Sequence, residues 1–354
     1  MTGYKSHLLP GIVATALSVL SLPGPSSAQL TIASPDSSTV PPPIVRLVNR
    51  AEFLAGRGQL KLAIGKYEEA LAAGAGSAQV LNRLAELYLA AGQFAEATRV
   101  LKRSLDEEPG QLPVYSRLRE AFLAQGKPDS AIFFISEARE LAPETSAVRS
   151  SLGFLYLQTG LRKLAKAELD TALTLDERNP EAHRFLGYYY TQVDSLKRAI
   201  DHYRQVIAFS SEDIEAHNNI AFLHSAVGEY QQALDFYKRT KDLTSEPNLL
   251  HAINLNMEAV SAILNGKMRA RYILVDTESK GRAVLEKLRT GEDFGTLASQ
   301  FSQAPNAAVG GDLGFFGPGD MLPEVEEAVL QLEVGAISEL LRIAGRVMII
   351  QRLN

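Results

Sequence analysis

The segment Ala85-Glu86-Leu87-Tyr88-Leu89-Ala90-Ala91-Gly92-Gln93-Phe94-Ala95-Glu96-Ala97 decides how most of this 354-residue chain folds. Its last residue belongs to a series, Ala63, Ala97, Ala131, Ala165, Ala199 and Ala233, that recurs at a constant interval of about 34 residues, the mark of a repeat array. Its first belongs to another, Ala51, Ala85, Gly153, Gly187 and Ala221, in which Arg119 is the exception. Between the two series stand Gly58, Gly92, Gly126, Gly160 and Gly228, with Asp194 replacing the glycine once. Antiparallel helices approach closely only where small side chains face each other, and glycine ends a helix in a left-handed turn. Larger residues fill the space between, as in Tyr88, Phe122, Tyr156 and Tyr190, then Tyr67, Leu101, Tyr203 and Tyr237.

Over roughly Ile44 to Pro247 this pattern resembles the tetratricopeptide family, without its usual early tryptophan but with Pro109 and Pro143 at repeat ends. The resemblance implies six helical hairpins, at 44–247, stacked into a right-handed superhelix whose concave face binds a peptide or protein. One position that commonly faces the groove in that family reads Glu52, Glu86, Glu120, Phe154, Tyr188 and Phe222. Two readings are open. The column is either a polar mouth leading to an aromatic floor for extended polypeptide, or a solvated acidic face followed by ordinary core aromatics. The basic-and-asparagine arrangement with which some members clamp a C-terminal carboxylate is missing from these positions.

Asn248 to Leu264 reads as one more apolar-periodic helix, a cap and link over 248–265. After Gly266 the texture changes. A β-type run Tyr272-Ile273-Leu274-Val275 leads to helices at Ser279 to Arg289 and from Gly291-Glu292-Asp293-Phe294 to Phe301. The glycine-rich Gly310-Gly311-Asp312-Leu313-Gly314-Phe315-Phe316 follows, then a helix led by Met321-Leu322-Pro323-Glu324 and a final strand Val347-Met348-Ile349-Ile350. These segments predict a small α/β sandwich at 266–354.

From Met268 to Asn354 the order of motifs, with Arg269-Ala270-Arg271 before the first strand, resembles the parvulin rotamase domain. The resemblance implies peptidyl-prolyl cis–trans isomerisation, which breaks no covalent bond and needs no cofactor. The barrier to amide rotation is about 18–20 kcal/mol, and catalysis means binding the twisted amide better than either planar form. The family's proline pocket of leucine, methionine and phenylalanine matches Leu313, Met321 and Val325 here, so one wall is cut back. Its polar network of two histidines and an aspartate or cysteine matches Tyr272, Met348 and Ala304. Only Tyr272 retains a hydrogen-bonding group. Activity is therefore expected to be weak or lost, and the alternative reading of Leu313, Met321 and Val325 is ordinary core packing.

The N-terminus carries Lys5, an apolar Leu8 to Leu22 and Ser26-Ser27-Ala28, the grammar of a signal peptide at 1–28. The apolar stretch is shorter than the roughly 20 residues that span a bilayer, and Pro10-Gly11 interrupts it. Residues 29–43 read as a proline- and serine-rich linker. Export to the periplasm or exterior follows, with no stable membrane insertion after cleavage. Cysteine is absent, so disulfides, thiolate metal sites and a lipid-modified cysteine are excluded. Net charge is −5 without a basic cluster, which argues against a nucleic-acid partner. His183, His202, His217, His224 and His251 show no paired spacing for a metal. The expected architecture is an α-solenoid of six tetratricopeptide hairpins followed by a small α/β parvulin-like domain. The expected role is an exported folding factor whose partners are unfolded or partner polypeptides and proline-containing segments. The alternative is a non-catalytic adaptor assembling an envelope complex.

Overall fold

The computed structural model describes residues 42–354. The expected signal peptide at 1–28 and nearly all of the expected linker lie outside the described residues. Among the described residues the chain divides into two compact units, with the boundary between Ser195 and Leu196.

The first unit contains α1 (Pro42–Gly56), α2 (Leu60–Ala72), α3 (Ala78–Ala90), α4 (Phe94–Glu107), α5 (Leu112–Ala124), α6 (Pro128–Leu141), α7 (Ser146–Gln158), α8 (Arg162–Leu175) and α9 (Pro180–Gln192). Consecutive helices pack as antiparallel hairpins, α1 on α2, α3 on α4, α5 on α6 and α7 on α8. The alanines of the periodic series, Ala63, Ala97, Ala131 and Ala165, are fully buried at these crossings. Gly153 measures the tightness: a Cβ there would lie 2.6 Å from Cγ of Leu169 on the facing helix. Tyr67, Tyr88, Leu101 and Phe122 are buried alongside, each filling the gap left by a small neighbour.

The second unit begins with α10 (Leu196–Phe209), α11 (Ile214–Ala226), α12 (Tyr230–Leu243) and α13 (Pro247–Leu264). The repeat chemistry persists, with Ala199, Ala233, Tyr203 and Tyr237 buried. Helix α13 starts on a proline, which needs no N–H partner at that position, and the Glu246 carboxylate accepts from the N–H groups of Asn248 and Leu249. It packs on α12 through Ala252, Ile253, Asn256, Ala259 and Val260.

A four-stranded antiparallel sheet follows, in the order β2-β1-β4-β3. Its strands are β1 (Met268–Val275), β2 (Asp312–Phe316), β3 (Leu341–Ile343) and β4 (Arg346–Arg352). The glycine-rich stretch thus contains a strand, and β3 is one that the sequence reading did not separate. Ala344 and Gly345 form the two-residue turn from β3 to β4, both with positive φ (50° and 75°). Alternation along the strands gives the sheet two apolar faces. Ile273, Val275, Val347 and Ile349 pack on α14 (Glu278–Arg289) and α15 (Phe294–Phe301). Met268, Ala270, Met348 and Ile350 pack with Phe316 and α16 (Pro323–Gln331).

The repeat turns adopt the left-handed conformation, at φ between 69° for Gly126 and 82° for Gly228. Asp194 adopts it with a side chain, at φ 57°. A left-handed non-glycine residue costs roughly 1–2 kcal/mol, part of which glycine loses again through unfolded-state entropy. Asp194→Gly is therefore expected to stabilise the protein by about 0.5–1 kcal/mol in urea unfolding. A loss of stability would mean that the aspartate side chain offsets its own strain.

Candidate functional site

On the α16 face of the sheet, β1 presents Ala270, Tyr272 and Leu274, and β4 presents Met348 and Ile350. Tyr272 stands opposite Ile350, and Leu274 opposite Met348, which makes Tyr272 and Met348 diagonal neighbours. Leu313 comes from β2, Met321 from the loop before α16 and Val325 from the first turn of α16. All five residues belong to one apolar cluster, in which Val325 and Met348 are buried and Tyr272, Leu313 and Met321 half-buried. Burial pushes the Tyr272 phenol above its ordinary value.

Ala304 is buried but lies outside that cluster, in the segment after α15. The Gln303 N–H donates to the Leu274 carbonyl at 2.8 Å, and the Ser302 hydroxyl accepts from the N–H of Leu274 at 3.1 Å. Ala304 thus follows a segment tied to the end of β1.

Backbone contacts and ion pairs set the shape of this face. The Tyr272 N–H donates to Gly311 O at 2.9 Å, and a Cβ on Gly311 (φ +79°) would lie 2.2 Å from Tyr272 O. Only glycine fits there. The Asp312 carboxylate pairs with Arg269 and accepts from the Gly314 N–H at 2.8 Å, next to the register shift between β1 and β2. Burial pushes the Asp312 carboxyl up, but the Arg269 and Gly314 bonds and the charges of Arg269 and Arg271 outweigh it and hold it below its ordinary value. Glu326 on α16 accepts from the N–H groups of Gly319 (2.8 Å) and Met321 (3.0 Å), fixing the loop that carries Met321. Such a surface can grip an apolar ring and exclude water. The two carboxylates beside it, Asp312 and Glu326, are already engaged by Arg269, the Gly314 N–H and the Gly319 and Met321 N–H groups. Among the described residues no group of side chains could hold a metal ion.

In the column on the repeats the first two acids are ion-paired, and the aromatics Phe154 and Phe222 are packed in the core. Glu52 accepts from Arg83 Nε at 3.0 Å and Nη2 at 3.1 Å, and from the Tyr67 hydroxyl. Arg83 also donates to Glu86 at 2.9 Å, and Arg117 pairs with the other oxygen of Glu86. The acids are therefore rungs of an ion-pair ladder down α1, α3 and α5. Arg83 and Arg117 escaped the sequence reading, although they too stand one repeat apart, each shortly before a glutamate of the column. Glu120 is half-buried and makes no hydrogen bond or ion pair among the described residues. Phe154 is buried and stacks on Phe185, with ring centroids 4.8 Å apart at 24°. Tyr188 is half-buried. In the second unit Phe222 is buried.

Residues 274–353 match the family described as the PPIC-type PPIASE (rotamase) domain, and residues 54–121 and 122–187 match a tetratricopeptide repeat family. The chain is a tetratricopeptide repeat protein with a C-terminal parvulin-type domain. Over 74 residues it is 49% identical to foldase protein PrsA of Halalkalibacterium halodurans, covering 21% of this chain and 22% of that protein. It is 51% identical over 74 residues to the PrsA of Geobacillus kaustophilus, covering 21% of this chain and 26% of that protein. The chain thus spans only about a quarter of the length of these relatives. Among solved structures, yeast Tom70 aligns with a TM-score of 0.52 at 14% identity, over 63% of this chain and 47% of that one. The APC/C hetero-tetramer Cut9–Hcn1 aligns at 0.50 and 20% identity, over 63% and 44%. At these identities the likeness concerns the fold.

Burial pushes the Glu52 carboxyl up, but the hydrogen bonds from Arg83 and Tyr67 and the charge of Arg83 outweigh it and lower its pKa. A lowered folded-state pKa lends stability that is complete above the unfolded carboxylate range and is lost as pH falls through the folded value. Acidification below about pH 5 should therefore lower the unfolding midpoint less in Glu52→Gln than in the parent. A double-mutant cycle with Arg83→Gln should give a coupling of about 1 kcal/mol, small because both side chains are partly solvated. A coupling near zero would remove the ladder as a stabilising element.

Proposed function

We propose that this chain is an exported folding factor. Its repeats capture unfolded or partner polypeptide, and its parvulin-type domain engages proline-containing segments with isomerase activity weak or lost. The observation that carries this reading is the composition of the α16-side cluster. Tyr272 and Met348 stand among Leu313, Met321 and Val325, where the family keeps imidazoles beside its proline pocket. Rotation about a prolyl amide depends largely on apolar binding and removal of water from the carbonyl, and these need no ionisable group. What a polar group adds is stabilisation of the twisted state. Tyr272, Ala304 and Met348 supply at most one hydroxyl toward that. The likeness to PrsA foldases over this domain supports work on polypeptides outside the cytoplasm, as does the leader-like N-terminus.

The burial of Phe154 and Phe222 favours a second reading. Aromatics already used in packing leave less apolar floor for unfolded chains, as suits an adaptor that docks one folded partner. Capture of a single stoichiometric protein without affinity for denatured clients would support that role.

The purified chain should bind denatured protein while accelerating cis–trans exchange of a proline tetrapeptide little or not at all. The triple variant Tyr272→His/Ala304→Asp/Met348→His should gain at least roughly 10-fold, less than the roughly 100-fold or more of a well-positioned acid–base group. If the parent already accelerates exchange strongly and Met321→Ala abolishes the effect, the argument for a degenerate site fails.

A further inference from the structure

The outer face of α1 and of the turn after it carries charge of one sign only. Arg46, Arg50, Phe53 and Arg57 follow one another at intervals of four, three and four residues, and 3.6 residues per turn bring them to one side. All four are exposed, while Ile44, Ala51 and Leu54 on the opposite side are buried. The guanidiniums of Arg50 and Arg57 lie over the Phe53 ring, 5.2 and 5.1 Å from its centroid. The ring is still 51% exposed.

Among the described residues Arg46, Arg50 and Arg57 have neither a hydrogen bond nor an ion pair. Elsewhere exposed lysines stand three or four residues from an acid and pair with it, Lys66 with Glu69, Lys166 with Asp170, Lys238 with Asp235 and Lys280 with Asp276. From 42 to 66 the one acid is Glu52, which Arg83 and Tyr67 already engage. Arg46 and Arg50, four apart on a helix, repel each other and weaken it. Nothing in the packing of α1 calls for them.

A partner for this face must present several negative charges along roughly 16 Å and accept an aromatic ring among them. A leaflet containing acidic lipid does both. Its phosphates take guanidiniums, and its headgroup layer takes an aromatic ring and the apolar stems of arginine. The excess of acids elsewhere in the chain opposes this little, because charges beyond about 8 Å are screened at physiological salt. Helix α1 is also the first described helix after the apolar stretch Leu8 to Leu22.

We propose that this face is a peripheral membrane-docking surface, on which Arg46, Arg50 and Arg57 bind the phosphates of acidic lipids and Phe53 enters the headgroup layer. The contact is reversible and needs no inserted helix. It turns the N-terminal end of the repeats toward the leaflet, and it does not rest on the folding-factor reading.

The test uses residues 29–354, which keep every described element and lack the apolar stretch that can anchor on its own. In vesicle sedimentation this protein should bind phosphatidylcholine vesicles containing phosphatidylglycerol, fail to bind vesicles of phosphatidylcholine alone, and come off the former in high salt. Arg46→Gln/Arg50→Gln/Arg57→Gln should weaken binding roughly 100-fold, at roughly 5-fold per cation, and leave the urea-unfolding midpoint no lower than the parent's. Lys163→Gln/Lys197→Gln/Lys267→Gln removes the same charge from other exposed positions and should leave binding largely unchanged. The chain has no tryptophan, so Phe53→Trp reports on this ring alone, and its emission should move to the blue with the acidic vesicles. If the arginine variant binds as the parent does, or the emission stays where it is in water, docking at this face is overturned. If polyglutamate or duplex DNA binds through the three arginines more tightly than the vesicles do, or the arginines hold two copies of the chain together, the partner is not lipid and the assignment is wrong. Failure to bind the acidic vesicles overturns the proposal and leaves the folding-factor reading standing.

Discussion

Two helices can lie against each other only where neither puts a side chain in the way, and this steric condition governs the greater part of the molecule. Once in every repeat the chain meets it with an alanine on the second helix of a hairpin and, Arg119 apart, a glycine or alanine on the first. Leu169 lies so close to Gly153 that even one added carbon would displace it. Because the backbones come that near, the large side chains on either side are forced into complete burial, and Tyr67, Tyr88 and Tyr237 are among the bulkiest fully enclosed residues. The column of charged residues is a consequence of the same repeat. Once the helices are stacked at a fixed step, equivalent residues of successive repeats face one another across a constant gap. Arg83 spans that gap to Glu52 in one direction and reaches Glu86 within its own helix in the other.

The sheet domain rests on a related condition, the two-residue alternation of a pleat. It is this alternation that sends Tyr272 and Met348 to the α16 side while Ile273, Val347 and Ile349 close the core on the opposite face. Residues far apart in sequence, such as Tyr272, Leu313, Met321, Val325 and Met348, meet because strand order and register allow no other arrangement. Ala304 reaches the neighbourhood by a different route, through a segment hydrogen-bonded to the end of β1.

Much of this was legible in the sequence because it rests on periodicity. Small residues in register name the helical hairpins, and the run Tyr272 to Val275 names the first strand. What remained hidden depends on partners that no period announces. The glutamates of the column suggested a solvated face, whereas Arg83 and Arg117 draw Glu52 and Glu86 into ion pairs. The aromatics after them were open to two readings, groove floor or core, and a period cannot choose between them, whereas stacking on Phe185 is visible in the fold for Phe154. Strand β3 is three residues long and pairs only with β4, too short for alternation to register in the sequence. Glu326 looks like any surface acid of a helix until its bonds to the Gly319 and Met321 N–H groups are seen.

The close approach of Gly311 to Tyr272 joins two stretches of main chain and involves no side chain of β1. The neighbouring supports, Asp312 with Arg269 and Glu326 with its loop, likewise leave positions 272, 304 and 348 out of the scaffolding. The side chains at those three places take no part in these backbone contacts and ion pairs, yet Met348 and Ala304 are buried and Tyr272 packs against the same apolar cluster as Met348, so a change there is felt by the packing around it. The face they line can be rebuilt only together with the apolar neighbours that hold them.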